Sequence, residues 1–272
     1  MICQLEEHEY ESIRLLCRDH KSNLVVDSVI DQNTPAWVFV DQKRKPGSAL
    51  IWDKQDALLL AGYAECEEFN VAIGDTLVQR IIPDAQRRYV PEMTIYYASD
   101  AWEARLEVIL QGRNAEKASR RYYAFTYPNT AGQKQMPLDC EMRRIDEVLL
   151  GNAELGNIAH VRGWVGSFWH SYRDFANTGI GYCLVKKDSI VSWCLSVFVS
   201  GSNREFGLAT VPEERMQGHA TLVAMACVKY CYENGLTPHW HCWNDNRGSI
   251  AVAEKVGFEK PTIYYAYKLS TQ

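Results

Sequence analysis

Short strand-like runs alternate with helix-like segments along the whole chain, and this alternation limits the fold more than any other sequence feature. In the first half, apolar runs between turn residues predict strands, and apolar residues three and four positions apart predict helices. The predicted strands are residues 36–40, 49–52, 57–62, 93–97 and 122–127, and the predicted helices are residues 6–20, 68–81 and 100–110. Strands interspersed with helices indicate an α/β or α+β fold in which helices flank a sheet.

The second half repeats this rough order. Its predicted strands are residues 141–145, 181–185, 190–199, 205–211, 238–243 and 263–269, and its predicted helices are residues 156–175, 218–233 and 249–256. Asn234 and Gly235 form a stop signal for the helix over 218–233. Since no residue-level repeat accompanies the shared order, a degenerate structural repeat stays an open alternative.

One segment separates the halves. From Pro128 to Pro137 the chain has no apolar periodicity and concentrates turn-forming residues, which is typical of a linker. We therefore predict an N-terminal accessory α/β domain over residues 1–137 and a second domain over residues 138–272.

Composition excludes several classes of protein. With 47% hydrophobic and 23% charged residues, the 272-residue chain has the balance of a soluble globular protein. A net charge of −5 without a concentrated basic face argues against nucleic acid as a partner. No stretch resembles a membrane span or a signal peptide. The nine cysteines, an odd number without a framework, suit a reducing compartment, so a cytoplasmic protein is predicted.

The stretch from Val211 to Thr221 carries the strongest chemical signal. A predicted strand runs into Val211, the chain turns at Pro212, and a helix begins at Gly218. Backbone N–H groups at a helix start lack intrahelical partners and, together with the helix dipole, favour an anion. Gly218 lets a ligand approach the backbone, and the small Ala220 keeps the first turn clear. These features suit a pyrophosphate cradle that lacks the motifs of P-loops and dinucleotide folds, and taken alone they also suit an ordinary turn with a glycine before a helix.

Several motifs accompany the cradle in a fixed order. They are Glu205-Phe-Gly-Leu-Ala-Thr-Val211, Arg215-x-x-Gly218-x-Ala220, Asn246-x-x-Ser249 and Glu254-Lys-Val-Gly257-Phe258. With them, residues 140–272 resemble the GNAT superfamily of N-acyltransferases. A closer resemblance is to the GNAT group that includes zwittermicin A resistance-type proteins. It is carried by Trp169, Phe175, Gly181-Tyr-Cys-Leu, Ser192, Cys194, Pro238-x-Trp240-x-Cys242 and Ala253-Glu-Lys-Val-Gly-Phe.

The resemblance implies a mixed sheet, flanked by helices, that splays after its fourth strand and takes acetyl-CoA as acyl donor in the opening. It implies no metal. By position, the residues expected to bind acetyl-CoA are Leu208, Ala209, Thr210, Val211, Arg215, Met216, Gln217, Gly218, His219, Ala220, Thr221, Asn246 and Ser249. The N–H of Val211 is expected to polarise the thioester carbonyl. By the same resemblance, the N-terminal half is either an accessory domain or a degenerate GNAT-like half.

The implied reaction is attack of an amine on a thioester, which requires a base. Glu205 lies six residues before Val211, where many GNAT enzymes have a carboxylate that acts through water. A solvated strand-end glutamate is its alternative role. Ser249, which the resemblance places near the leaving sulfur, has a helix cap as its alternative role. The expected catalytic residues are therefore Glu205, Val211 and Ser249.

The general acid is unassigned, because Ala253 stands where many GNAT enzymes have a tyrosine. Tyr264, Tyr265 and Tyr267 in the last strand are candidates, and sheet packing is their alternative role. His239 and His241 alternate onto one strand face while Cys242 faces the other way, which argues against a metal site.

Two further groups have competing interpretations. His219 is either a phosphate contact or an ordinary exposed residue of a first helical turn. An aromatic group either lines an acceptor pocket or fills the space between helix and sheet. Its members are Trp164, Trp169, Tyr172 and Trp193.

We predict an acetyl-CoA-dependent N-acetyltransferase that acts on a primary amine, expected to belong to a small molecule, by direct attack in a ternary complex. Two alternatives stay open: a non-catalytic CoA-binding or sensor module, and a protein N-acetyltransferase. The expected partners are acetyl-CoA and the amine acceptor, with no nucleic acid or membrane, and a homodimer is an open alternative.

Overall fold

A computed structural model describes residues 2–18, 20, 24–129 and 135–272. The chain forms two compact units, unit 1 from Met1–Ser119 and Tyr265–Gln272 and unit 2 from Arg120–Tyr264. From the sequence we predict one boundary at 137/138, in a linker whose residues 130–134 lie outside the described residues. The two divisions differ because two strands, residues 115–125 and 258–270, each begin in one unit and end in the other. A linker is recognised by its turn-forming residues, so a unit boundary inside a strand is not detected in this way.

Groups of one to three successive strands are separated by helices. They are β1 (Cys3–Gln4), β2 (Trp37–Val40), β3 (Ser48–Trp52), β4 (Ala57–Gly62), β5 (Glu92–Tyr97), β6 (Ala115–Phe125), β7 (Cys140–Arg144), β8 (Gly181–Lys186), β9 (Ser189–Ser200), β10 (Asn203–Thr210), β11 (Thr237–Trp243) and β12 (Phe258–Ser270). The helices are α1 (Leu24–Ile30), α2 (Glu67–Thr76), α3 (Ile82–Arg87), α4 (Asp100–Ile109), α5 (Glu147–Gly151), α6 (Ile158–Phe168), α7 (Tyr172–Thr178), α8 (His219–Glu233) and α9 (Arg247–Val256).

Each unit has a mixed sheet. In unit 1 the strand order is β1-β2-β3-β4-β5-β12, and only β4 and β5 run parallel. In unit 2 the order is β6-β11-β10-β9-β8-β7, and only β10 and β11 run parallel. The sheets and their flanking helices confirm the predicted fold class.

The predictions for two N-terminal helices are wrong in detail. Instead of a helix over 6–20, the chain forms a short 3-10 helix, Glu7–Ile13, and the separate α1. The end predicted for the helix over 68–81 is also wrong, because a π turn at Leu77–Ile81 joins α2 to α3. Pro83 lies in the first turn of α3, where the missing proline N–H costs no helical hydrogen bond.

The core of unit 2 lies between the sheet and helices α8 and α9. Its fully buried side chains include Cys227, Cys231, Trp240, Phe258 and Tyr123. Cys227 and Cys231 share the buried face of α8, as their spacing predicts, and all nine cysteines are free thiols. Among the described residues, no helix is both long and apolar enough to cross a membrane.

Candidate active site

Strands β10 and β11 separate in the middle of the unit 2 sheet. They pair from Asn203–Thr237 to Glu205–His239 and no further. A β-bulge lies at the point of separation, because the register between β10 and β9 shifts between Glu205 and Phe206. Bulges bend a strand and increase its twist. Beyond it, β10 stays beside β9 while β11 pairs with β6, so an opening lies between the two strands.

Alternate backbone groups of β10 point towards this opening. The N–H of Val211 donates to the carbonyl of Val191 at 3.0 Å, on the β9 side. Hydrogen-bonded positions alternate in an antiparallel ladder, so the backbone groups of Leu208 and Thr210 point away from β9, into the opening. The bond to Val191 argues against the expected oxyanion role of the Val211 N–H, because that N–H is already engaged.

The loop after β10 leads to the start of α8. A 3-10 turn, Pro212–Glu214, follows the strand, and Arg215 donates from Nε to the carbonyl of Thr210 at 3.2 Å. Met216 and Gly218 adopt left-handed backbone conformations with φ of 62° and 86°. Within the described residues, no side chain caps α8, so its first-turn N–H groups face the loop. This geometry suits an anion.

His219, the first residue of α8, is buried rather than exposed. Its ring is only 2% exposed, and Nε2 lies 3.1 Å from a carboxylate oxygen of Glu214. The Nζ of Lys186 donates to the same carboxylate at 2.9 Å. The Lys186 hydrogen bond is the main reason why the pKa of Glu214 lies below its ordinary value. The ordinary interpretation of His219 as an exposed helix residue is therefore wrong, and its ring is part of the loop support.

A polar cluster lies beside the bulge, on one face of the sheet. Glu205 is 9% exposed and is the register partner of His239 on the neighbouring strand. Burial and the charge of Glu205 both raise the pKa of Tyr122. The same two causes act on Tyr264, where burial is the larger, and raise its pKa to about 12 although a bond from Arg120 lowers it. Glu205 is therefore a buried carboxylate among phenols, not a solvated strand end.

Two hydrogen bonds hold the imidazole of His239. Its Nε2 lies 2.9 Å from Oδ1 of Asn203, and its Nδ1 lies 3.5 Å from the hydroxyl of Tyr122. The orientation of the Asn203 amide is set by its Nδ2, which donates to the carbonyl of Ser200 at 3.3 Å. Because Oδ1 only accepts, Nε2 of His239 carries the proton and Nδ1 has the lone pair. Burial lowers the pKa of His239, which favours this neutral form.

The second half of the cluster is centred on Tyr264. Its hydroxyl lies 2.9 Å from Nδ1 of His241 and accepts a hydrogen bond from Nε of Arg120 at 3.0 Å. The guanidinium of Arg120 stacks on Trp243, 4.5 Å from the ring centre. The ring of Tyr122 lies 4.7 Å from that of His241, its register partner.

Sequence reasoning missed three members of this cluster. Arg120 and Tyr122 come from β6, outside the predicted 138–272 domain, and Asn203 precedes the recognised motif. Strand geometry places residues 120 and 122 on one face, but the sequence Arg120-Arg121-Tyr122-Tyr123 has no alternation of polarity that would mark that face. It also does not show which strand lies next to it.

The motif around Asn246 and Ser249 forms the start of α9. Asn246 is the cap, because its side chain accepts from the N–H of Ser249 at 3.0 Å. The hydroxyl of Ser249 accepts from Nε1 of Trp240, also at 3.0 Å. Ser249 is therefore not the cap that we named as its alternative role. Ala253 is fully buried in the core of unit 2.

The predicted aromatic group separates into three environments. Trp164 packs against β10 at Gly207, where a Cβ atom added to the glycine would lie 2.8 Å from the indole ring. The same ring packs edge-on against Trp193, with 5.9 Å between the ring centres. Trp169 is buried and donates to the carbonyl of Ser196. Tyr172 is 41% exposed. Only Trp164 and Trp193 are therefore near the open strand.

The remaining candidates divide as follows. Tyr265 is exposed and Tyr267 packs in the core of unit 1, so of the three tyrosines only Tyr264 joins the cluster. Cys242 packs in the core of unit 2 while His239 and His241 contact Tyr122, which confirms the predicted opposite faces. The described residues contain no group of three or more potential ligands that could hold a metal ion.

Comparisons with known proteins agree with this geometry. A Bacillus subtilis protein described as the uncharacterized N-acetyltransferase YdfB is 29% identical over 266 residues, which cover 97% of each chain. The fold is similar to that of a GCN5-related N-acetyltransferase-like protein from Streptococcus suis, with a TM-score of 0.69, 20% identity and coverage of 96% of this chain and 98% of that one. It is also similar to a tandem GNAT protein of clavulanic acid biosynthesis, with a TM-score of 0.59, 14% identity and coverage of 100% and 98%.

The family model for GNAT acetyltransferases matches residues 14–267, which include both units rather than the second half alone. The family consists of acyltransferases that use acetyl-CoA as a substrate. The chain belongs to the GNAT acetyltransferase family.

Proposed function

We propose that this enzyme transfers the acetyl group of acetyl-CoA to a primary amine of a small molecule by direct attack in a ternary complex. The observation that carries the proposal is the opening between β10 and β11, with the uncapped start of α8 at its end. A strand edge with free backbone groups can bind an extended chain containing amides, and a helix start can bind a pyrophosphate.

For acetyl-CoA, the residues on this path divide by chemistry. The backbone groups of Leu208 and the N–H of Thr210 are suited to the pantetheine amides, and Ala209 leaves the strand edge uncrowded. Leu208 takes the oxyanion role in place of Val211, because its N–H points into the opening. The proposed phosphate-binding loop consists of Arg215, Met216, Gln217, Gly218, His219, Ala220 and Thr221. The buried ring of His219 supports this loop through its contact with the carboxylate of Glu214.

Glu205 is the proposed base. An ammonium cannot attack a carbonyl, so one proton must leave before the C–N bond forms. Glu205 lies at the bulge where the opening begins, and its burial beside Tyr122 and Tyr264 keeps bulk water away. As the C–S bond breaks, the second proton of the nitrogen ends on the CoA sulfur. Asn246 and Ser249 have structural partners, so their proposed contribution is to shape the opening near Trp240.

Thermal-shift titration tests the donor. Acetyl-CoA and CoA should raise the melting temperature and NAD should not, since only a ligand of the folded state stabilises it. Thiol release from acetyl-CoA should then be measured with glucosamine, spermidine, 2-phenylethylamine and a lysine-containing peptide.

A thermal shift with release on a small amine supports the proposal. A shift with release only on the peptide indicates a protein acetyltransferase. A shift without release on any acceptor favours a CoA-binding module, and no shift contradicts the cradle.

A further inference from the structure

We infer that His239, acting through Tyr122, takes up the proton that Glu205 removes from the acceptor and so returns Glu205 to its carboxylate form. The inference rests on the proposed function of Glu205 as the base. It assigns a role in proton transfer to the first variable position of the motif Pro238-x-Trp240-x-Cys242.

The need for such a group follows from the proton balance. When an ammonium is acetylated, one proton ends on the CoA thiol and one is released to solvent in each turnover. Glu205 receives the released proton, yet the residue is only 9% exposed. A buried carboxyl group needs a neighbouring acceptor before it can act again.

His239 is the neighbour with the required geometry. It is the register partner of Glu205 in the parallel pair, and neighbouring strands lie about 4.8 Å apart. The imidazole is fixed at both nitrogens, with Nε2–H donating to Asn203 and the lone pair of Nδ1 directed at the Tyr122 hydroxyl. This neutral tautomer is ready to accept a proton at Nδ1.

The step conserves protons and electrons. The carboxyl group of Glu205 gives its proton to the oxygen of Tyr122 while the Tyr122 hydroxyl proton passes to Nδ1 of His239. The products are the Glu205 carboxylate, an intact Tyr122 phenol and the His239 imidazolium, which then loses its proton to solvent. The phenol never has to ionise, so its raised pKa does not impede the transfer.

Other ionisable groups surround this path and contribute to any pH dependence. On β10 there is Glu205, on β6 there are Tyr122 and Arg120, on β11 there is His241, and on β12 there is Tyr264. Arg120 is the cation of the group, and its Nε donates to the hydroxyl of Tyr264.

His239→Gln is the sharpest variant. The glutamine amide can still donate to Asn203, but it cannot take up a proton. We expect kcat to fall about 10- to 100-fold on the panel amine with the highest kcat/KM, with an unchanged Kd for acetyl-CoA. In the plot of kcat against pH, the decrease at low pH that comes from protonation of His239 should be absent from this variant. Imidazole added to the assay should restore its turnover. Tyr122→Phe should show the same loss, and His170→Gln, on an exposed histidine, should match the wild type.

A second measurement needs no acceptor. Long-range 1H–15N spectra of the imidazoles should show neutral His239 with its proton on Nε2 at pH 7, titrating below the ordinary histidine value of about 6.5. A proton on Nδ1 or a charged ring at pH 7 would overturn the inference. The inference would also be overturned if the kcat of His239→Gln were lower than that of the wild type by the same factor at every pH and did not rise when imidazole was added.

The two proposals fail separately. Normal turnover of His239→Gln together with a strong loss in Glu205→Gln removes only the role of His239. Normal turnover of Glu205→Gln removes the base itself, and with it the proposed function of that residue.

Discussion

Units 1 and 2 have the same order of elements but differ at one strand pair. In each unit four antiparallel strands precede a strand that runs parallel to the fourth, and a helical segment connects the two parallel strands. Each unit takes its last strand from the other half of the chain: β12 pairs with β5 in unit 1, and β6 pairs with β11 in unit 2. The shared order favours a degenerate GNAT-like half over an unrelated accessory domain.

The parallel strand pair of unit 1 does not separate as that of unit 2 does. In unit 2, β10 pairs with β11 over three residues and then leaves it, so its last four residues are half-buried. In unit 1, β4 pairs with β5 from Ala57 to Leu60, and all but Gly62 of its residues are buried. The carbonyl of Gly47 also closes the space beside Gly62.

The helices that follow these strands differ in charge. Helix α2 has Glu67 and Glu68 in its first turn, whereas α8 has no acidic residue there. Acidic side chains compensate the positive end of the helix dipole and repel a phosphate. A bulge, a diverging strand and an uncharged helix start therefore distinguish the proposed acetyl-CoA site from its closed counterpart.

Removal of the first 137 residues should have the largest effect. The fragment 138–272 lacks β6, whose Tyr123 is fully buried under α8 and α9, and loss of such an aromatic residue alone costs about 3–5 kcal/mol. We expect no cooperative melting transition by circular dichroism. Fragment 113–272, which restores β6, should regain part of the transition. A cooperative transition and acetyl-CoA binding in fragment 138–272 would show that the exchanged strand is dispensable.

Gly218→Glu should abolish acetyl-CoA binding, with Kd rising at least about 100-fold, because it adds a side chain and a negative charge to an anion site. Gly112→Glu in unit 1 is a matched control, since Gly112 has φ of 76° and open space around its Cα. It carries the same strain and charge at a position outside the proposed phosphate-binding loop. Calorimetry should give one site per chain. If Gly218→Glu and Gly112→Glu bound acetyl-CoA equally well, or if the chain had two sites, the proposal that only unit 2 binds acetyl-CoA would be contradicted.

Glu205→Gln should reduce kcat about 100-fold or more and leave the Kd for acetyl-CoA unchanged, because it removes the base and keeps the shape. Glu213→Gln, on the exposed turn after β10, is the control and should retain full turnover. Stopped assays of thiol release measure both. A Glu205→Gln enzyme with normal kcat would mean that the cluster beside the bulge does not take part in proton removal.

Much of unit 2 could be predicted from the sequence, because local signals there agree with the fold. Gly257 and Gly235 end helices in left-handed conformations, and β10, α8 and β11 lie within a residue or two of their predicted bounds. Pairing between distant segments could not be predicted, since side-chain alternation reveals the face of a strand but not its neighbour. This is why Tyr122 was missed, and why the sequence could not show that the N–H of Val211 bonds to Val191 on the neighbouring strand.

The smallest effect should come from removing the contacts of Glu214 that support the phosphate-binding loop. Glu214→Gln removes the charge that holds Lys186 and His219, and loosening this loop should weaken acetyl-CoA binding about 3- to 10-fold, the range of one modest hydrogen bond. Since the pKa of Glu214 is lowered in the folded protein, its contribution is complete above the ordinary carboxylate pKa of about 4.3 and disappears as pH falls through the lowered value. Wild-type affinity should therefore be constant between about pH 6 and 8 as far as this group is concerned, and Glu214→Gln should differ from it by a constant factor over that range. Calorimetric titrations at several pH values check this, with Glu213→Gln again as the control. A difference that grows or disappears between pH 6 and 8 would mean that the charge of Glu214 does not control the loop.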